Sequence, residues 1–305
     1  MVSRADATAP GNTAQGILLV AVGVFSLTIN DAMVKHLGET YAIAQVVFFR
    51  MLCALPFVLA LALYMGGPRV LRIRRPVFHF GRGLIFTVAA FTFYLSLTLL
   101  PLAETTAIAF SGPLFVALLS LPLLGERPTP RQWLATIAGF IGVMLIVRPG
   151  SATFTLAALV PLVTALGYAL FMMSARFLRS DENLWATMAY ATAVPLICSA
   201  LLLPWFWQPP EPAHWPFFIG SGIFGGLGIS LITQGFRVGV ASAVAPFEYT
   251  GMIWAACFGW FFWHEVPSAL TITGGVVIAA TGVFLAWEHQ RASRQRRLPE
   301  TLPPP

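Results

Sequence analysis

Ten apolar stretches follow one another along the chain, at residues 15–34, 42–65, 77–99, 103–124, 132–147, 154–175, 184–204, 215–236, 242–263 and 269–287. Turn-forming and charged residues separate them at Gly66-Gly67-Pro68, Gly125-Glu126-Arg127-Pro128, Arg148-Pro149-Gly150, Arg179-Ser180-Asp181-Glu182 and Pro209-Pro210-Glu211-Pro212. About 20 helical residues cross the hydrocarbon core of a bilayer, so the pattern predicts ten spans. The apolar positions run on without the alternation of barrel strands, which makes the spans helices. The first stretch follows Arg4, like the charged start of a signal peptide. Its apolar run is too long for a cleaved signal and nine more follow, so it is read as the first helix. The expectation is an all-α integral membrane protein.

Composition supports this reading. Of 305 residues, 57% are hydrophobic and 10% charged, against about 25% charged in an ordinary soluble domain. That shortage excludes a soluble enzyme, a nucleic-acid-binding domain and a disordered chain. The net charge of +6 does not reopen nucleic acid as a partner, because the basic residues sit in short loops and a tail, where they set orientation. With the N-terminus in the cytoplasm, fifteen of the eighteen basic residues fall inside: Arg4, Arg69, Arg72, Arg74, Arg75, Arg82, Arg127, Arg131, Arg176, Arg179, Arg237, Arg291, Arg294, Arg296 and Arg297. Lys35 and Arg148 fall outside, and Arg50 lies within the second span. Both termini are therefore expected in the cytoplasm. One lysine against seventeen arginines is the bias of a GC-rich bacterial genome, so the membrane is expected to be the bacterial inner membrane. Cys53, Cys198 and Cys257 each lie in an apolar run with no CxxC and read as packing residues.

Residues 103–143 can be laid over 242–283. Ala109-Phe110-Ser111-Gly112 matches Glu248-Tyr249-Thr250-Gly251, and Gly125-Glu126-Arg127-Pro128 matches His264-Glu265-Val266-Pro267. After a one-residue shift, Ala135, Gly139, Gly142 and Val143 match Gly275, Ala279, Gly282 and Val283. Two repeats of five spans follow, over 15–147 and 154–288, flanked by tails at 1–14 and 289–305. Five is odd, so the second copy crosses in the opposite sense, as in secondary transporters whose substrate is held near the midplane between the halves. The basic tail is expected to stay disordered near anionic lipid.

The stretch Pro101-Leu102-Ala103-Glu104-Thr105-Thr106-Ala107-Ile108-Ala109-Phe110-Ser111-Gly112-Pro113, followed by Leu124-Gly125-Glu126-Arg127-Pro128, resembles the EamA family of the drug/metabolite transporter (DMT) superfamily. So do Asn30-Asp31-Ala32-Met33-Val34-Lys35 and Phe48-Phe49-Arg50. The resemblance covers roughly 14–288 and implies ten transmembrane helices in two inverted five-helix repeats, a central cavity and no nucleotide-hydrolysing partner. The second corner, His264-Glu265-Val266, departs from the pattern by lacking the Gly and the Arg.

Ionisable groups inside a bilayer cost several kcal/mol unless paired or solvated, which makes each a candidate site residue. Glu248 lies about six residues into the ninth span, about 9 Å along it, and Pro246 loosens the helix there. It reads as a substrate or proton site, with a structural carboxylate bonded to a neighbouring helix as the alternative. Asp31, beside Asn30, either pairs with Lys35 four residues on or serves the site. Arg50 either pairs with Asp31 or holds an anionic substrate group. Glu104 reads as a cap for the helix after Pro101. Glu126 and Glu265 read as acceptors for the free N–H groups of the helix that follows each corner. Tyr94, Ser111, Tyr168, Gln234, Tyr249 and Trp254 complete the candidate lining and favour an amphipathic or aromatic metabolite, whereas Trp133, Trp205, Trp207 and Trp215 read as an interfacial belt. Small residues at Ala135/Gly139 and Gly275/Ala279 predict close helix approach within the fold or, alternatively, across a homodimer.

No Walker, HExxH, GxSxG or paired-aspartate prenyltransferase motif is present. The leading expectation is therefore a secondary transporter of a small organic metabolite (an amino acid, a vitamin-like or other amphipathic solute), with protons as a possible coupling ion and no cofactor or metal. The family resemblance allows export, and also uptake of riboflavin or S-adenosylmethionine-like compounds. A membrane enzyme lacks a reactive cluster here, and a scaffold lacks the long loops it would need.

Overall fold

A computed structural model describes residues 10–66, 75–125, 128–150, 155–174 and 184–295, and every regular element among them is helical. In chain order these are α1 (Pro10–Gly38), α2 (Ile43–Gly66), α3 (Pro76–Leu99), α4 (Leu102–Ala109), α5 (Gly112–Leu124), α6 (Pro130–Val147), α7 (Val160–Ser174, after a 3-10 turn at Leu156–Leu159), α8 (Leu184–Phe206), α9 (Trp215–Val238), α10 (Ala241–Val244), a 3-10 segment at Ala245–Tyr249, α11 (Thr250–Trp263) and α12 (Ala269–Gln295). Nine segments among the described residues are long and apolar enough to cross a membrane, with α4 and α5 together forming one of them. The tenth expected span, 242–263, is interrupted by the 3-10 segment. Most span ends lie within a few residues of the apolar boundaries. The exceptions are α1, which starts in the expected N-terminal tail, and α12, which continues as helix to Gln295 where a disordered tail was expected. The tail beyond 295, and Arg4, Glu126, Arg127, Arg176 and Arg179, lie outside the described residues.

The two halves build their corners alike. Gly125 ends α5 with φ 67° and His264 ends α11 with φ 55°, equivalent left-handed positions. Glycine takes that conformation without strain, and His is among the side chains that tolerate it better than most, so losing the Gly leaves the corner intact. The helix that follows is capped by a hydroxyl in both halves. Thr129 forms a capping box with Gln132 at the start of α6, and Ser268 Oγ accepts from Thr271 N at the start of α12 (3.1 Å).

Helix approach is closest where glycines face one another. A Cβ on Gly23 of α1 would lie 2.9 Å from the Gly228 carbonyl of α9, and one on Gly228 would lie 2.7 Å from the Gly23 carbonyl. Two turns along, Gly16 and Gly235 repeat this at 2.9 and 2.8 Å. Backbone thus touches backbone along α1 and α9, the close packing by which membrane helices associate when no hydrophobic effect drives them. The expected approach of α6 and α12 is also present, but it crosses at Gly142 and Gly274 (2.9 and 2.5 Å). Gly275 meets nothing nearer than Met252 Sδ at 3.5 Å, because a helical face advances about 100° per residue and turns it away from the crossing.

Lys35 does not pair with Asp31. Its ammonium binds Glu265 Oε1 at 2.7 Å and the Leu100 carbonyl at 2.9 Å. Glu265 in turn accepts from Leu102 N at 2.8 Å. The carboxylate caps α4, in the other half of the chain, rather than the helix after its own corner, which Ser268 already serves. The last turn of α1, the α3–α4 corner and the α11–α12 corner are therefore held by one buried ion pair. Glu104, in the first turn of α4, accepts from Thr271 Oγ1 at 3.0 Å and ties α4 to α12.

Two outcomes check this packing by thermal unfolding in detergent. Gly228→Ala is expected to destabilise by about 1–3 kcal/mol as overpacking, whereas Gly81→Ala, with nothing within 4 Å of the added carbon, is expected to be neutral or stabilising. Equal effects would remove the close-contact account. Glu265→Ala is expected to cost about 3–5 kcal/mol by stranding the buried Lys35 ammonium, and Glu265→Gln, which keeps an acceptor for Leu102, less; the reverse order would count against the shared role.

Candidate functional site

Both broken spans break at aligned positions. α4 ends at Ala109 and α5 begins at Gly112; the 3-10 segment ends at Tyr249 and α11 begins at Thr250. The hydroxyl in each break makes the same local bond, Ser111 Oγ to the Ile108 carbonyl and Thr250 Oγ1 to the Phe247 carbonyl, both at 2.6 Å. Pro113 and Pro246, just inside the respective helical segments, supply no N–H to continue the preceding turn. The equivalent residues Phe110 and Tyr249 face one another with ring centroids 5.3 Å apart. The two interruptions therefore meet one another. α1 passes beside them: a Cβ on Gly251 would lie 3.1 Å from Val24 and 3.3 Å from the Phe110 ring.

Glu248 stands at this meeting point, where the first repeat has Ala109. Its carboxylate is half-buried, and no hydrogen bond or ion pair reaches it among the described residues. It lies within electrostatic reach of the Tyr168 and Tyr249 hydroxyls. The Tyr249 hydroxyl sits against Gly282 of α12, where a side chain would collide with it. Tyr168 of α7 lies beside Gly112 in the first break (3.2 Å from a Cβ there) and keeps 43% of its surface exposed. The break thus carries a lone acid with two phenols, chemistry suited to a cation or a proton.

Asn30, Asp31, Arg50 and Tyr94 form a second cluster. Arg50 Nε donates to Asn30 Oδ1 and Asn30 Nδ2 donates to Asp31 Oδ1, each at 2.8 Å. Asn30 therefore bridges the cation and the acid. The guanidinium also lies over the Tyr94 ring at 5.2 Å, and Gly225 of α9 makes room for it, since a Cβ there would be 2.7 Å from Nη2. Asn30, Arg50 and Tyr94 are buried, and Asp31 is half-buried. Arg50 thus has a hydrogen-bond acceptor within the protein, and Asp31 reaches it only through Asn30.

The remaining candidates lie apart. Ser111 is fully buried and spends its hydroxyl on the break itself. Trp254 packs edge-on against Phe25 at 4.8 Å. Gln234 is exposed, on the face of α9 turned away from the glycines that meet α1. No cluster of three or more His, Cys, Asp or Glu able to hold a metal occurs among the described residues. One buried cation escaped the sequence reading, which grouped Arg82 with the loop arginines. It lies within α3, 7% exposed, over the Phe171 ring at 4.1 Å. The signal that marks it is its place beyond Pro76, inside an apolar run.

Comparison with known proteins agrees with this architecture. The profile of the EamA-like transporter family matches residues 14–148 and 155–287. The chain is 26% identical over 294 residues to the S-adenosylmethionine uptake transporter of Rickettsia felis, covering 93% of this chain and 98% of that one. It is 30% identical over 275 residues to the pseudopaline exporter of Pseudomonas aeruginosa (89% and 95%), and 28% identical over 200 residues to the riboflavin transporter of Vibrio cholerae (65% and 67%). A solved crystal structure at 21% identity superposes with a TM-score of 0.59, over 92% of this chain and 99% of the other, and shares the fold. Two successive family matches, together spanning nearly the whole chain, make this multi-pass membrane protein a member of the EamA-like transporter family.

Proposed function

We propose that the protein is a secondary transporter, not an enzyme, which moves a small organic metabolite by alternating access through the space between its two repeats. The observation that carries this reading is the lone Glu248 carboxylate at the junction of two broken helices. Irregular backbone is tolerated at membrane depth where it is buried in protein or lines a cavity, and half-helices meeting at the midplane are the substrate sites of repeat-built transporters. Glu248 takes the cationic group of the solute or a coupling proton, Tyr168, Tyr249 and Trp254 provide the aromatic wall, and the Asn30–Asp31–Arg50–Tyr94 cluster forms the polar end of the site. The arginine distribution supports a bacterial inner-membrane protein with both termini in the cytoplasm.

The named solutes of the relatives, S-adenosylmethionine, pseudopaline and riboflavin, support an organic solute larger than a single ion. Uptake and export both occur among them. Uptake of an S-adenosylmethionine-like compound is the favoured second reading, because the matches over nearly the whole chain include uptake transporters from several Rickettsia species.

Purified protein in proteoliposomes is expected to carry at least one solute of a panel holding S-adenosylmethionine, riboflavin and amino acids faster than empty vesicles. Glu248→Gln is expected to fold normally and to lose about tenfold or more of that flux, the effect of removing a charge-assisted contact worth about 1.5–3 kcal/mol. Wild-type flux in the variant would return Glu248 to a structural role, and no flux for any solute would remove the transport reading.

A further inference from the structure

The first repeat buries two arginines, and the two are satisfied differently. In the first setting, Arg50 of α2 lies between α1 and α9 and is met by Asn30 of α1. In the second, Arg82 of α3 lies against α7 and α8. The two settings correspond. Gly81-Arg82-Gly83 of α3 has the spacing of Gly220-Ser221-Gly222 of α9, Gly83 faces Val194 of α8, and Gly222 faces Cys53 of α2. α7 opens the second repeat as α1 opens the first. Where α1 offers Asn30 and Asp31 to Arg50, α7 offers Arg82 the ring of Phe171 at 4.1 Å. A ring face attracts the cation but supplies no anion and no in-plane acceptor. Arg82 Nε and Nη1 accordingly have no hydrogen-bond partner among the described residues, although the residue is 7% exposed.

A buried guanidinium without a partner is a costly arrangement, and breaking such a pair in other proteins destabilises strongly. We infer that Arg82 is an anion subsite, and that the group it takes is the carboxylate of the transported solute. A guanidinium suits a carboxylate through its charged N–H groups, and the Phe171 ring, which meets the cation by its face, leaves Nε and Nη1 without an acceptor. Its location fits the solute's path. Phe171 and Tyr168 are three residues apart on α7, on one face and about 5 Å along the axis. Arg82 and Glu248 therefore approach the same helix, at residues one turn apart along it. A solute bearing both a carboxylate and a positive group satisfies both. This assignment rests on the proposed transport for the identity of the anion, but not for its binding.

The test uses full-length protein in neutral detergent, unfolded thermally in sodium chloride and in sodium acetate at equal ionic strength. Acetate is expected to raise the wild-type midpoint by about a few degrees and to leave Arg82→Met unchanged, and Arg82→Met is expected to unfold above wild type in chloride. If the Met variant does not fold, Arg82→Gln must show the same loss of acetate response. Equal acetate shifts in wild type and variant overturn the subsite. So does stabilisation of wild type alone by added phosphatidylglycerol with no response to acetate, which identifies a lipid headgroup instead. An acetate response without flux keeps the subsite and removes the transport reading; flux without an acetate response does the reverse.

Discussion

Inside hydrocarbon every peptide N–H and C=O must find its partner within the protein, since lipid offers none. A continuous helix meets that demand alone; a broken one leaves free groups at each end. This chain breaks two of its spans, at 109–112 and 245–250, and brings the breaks together, Phe110 against Tyr249. Ser111 and Thr250 each bond a carbonyl one turn back, and the prolines remove N–H groups that would otherwise need acceptors. Farther along, Glu265 receives the first N–H of α4. The glycine contacts between α1 and α9, and between α6 and α12, hold the surrounding helices close enough to enclose the junction.

The same demand sorts the charges. Lys35 and Glu265 satisfy each other and two backbone groups of the α3–α4 corner at once, so they belong to the frame. Arg50 is satisfied by Asn30, and Asp31 through Asn30. Glu104 is tied to Thr271. Among the described residues, Glu248 and Arg82 stand outside these bonds, and each occupies a position where the other repeat carries a residue without charge, Ala109 for the acid and Ser221 for the cation.

Much of the fold was legible because its punctuation is local. Gly66, Pro76, Gly125 and Pro130 end or begin helices for reasons contained in their own backbone, and the span limits fall beside them. The breaks were harder to read. No charged residue interrupts 105–124, and only in the ninth span did a proline, Pro246, point to a loosened helix. Partner choice was not legible at all. Lys35 has Asp31 at helical spacing, yet binds Glu265, 230 residues away, since tertiary packing decides which acid shares its burial. Counting Arg82 among the loop arginines served the orientation argument and hid the residue, because a charge tally records side but not depth. Gln234 looked like lining by composition, and the face that α9 turns to α1 proved to be glycine.

Symmetry gives these departures their weight. An inverted repeat supplies two half-sites of one design, related so that what one builds on one side of the membrane the other builds on the opposite side. Positions that stay matched, such as Ser111 with Thr250, Gly125 with His264 and Thr129 with Ser268, carry the construction common to both halves. A solute is not symmetric, and a binding site for it has to be made where the halves differ. Phe110 and Tyr249 mark the step from one kind of position to the other: equivalent in sequence, in contact in space, and different by the single hydroxyl that Tyr249 sets against Gly282. Beside that hydroxyl the second repeat places an acid where the first has a methyl group, and at this pair the shared architecture stops being symmetric.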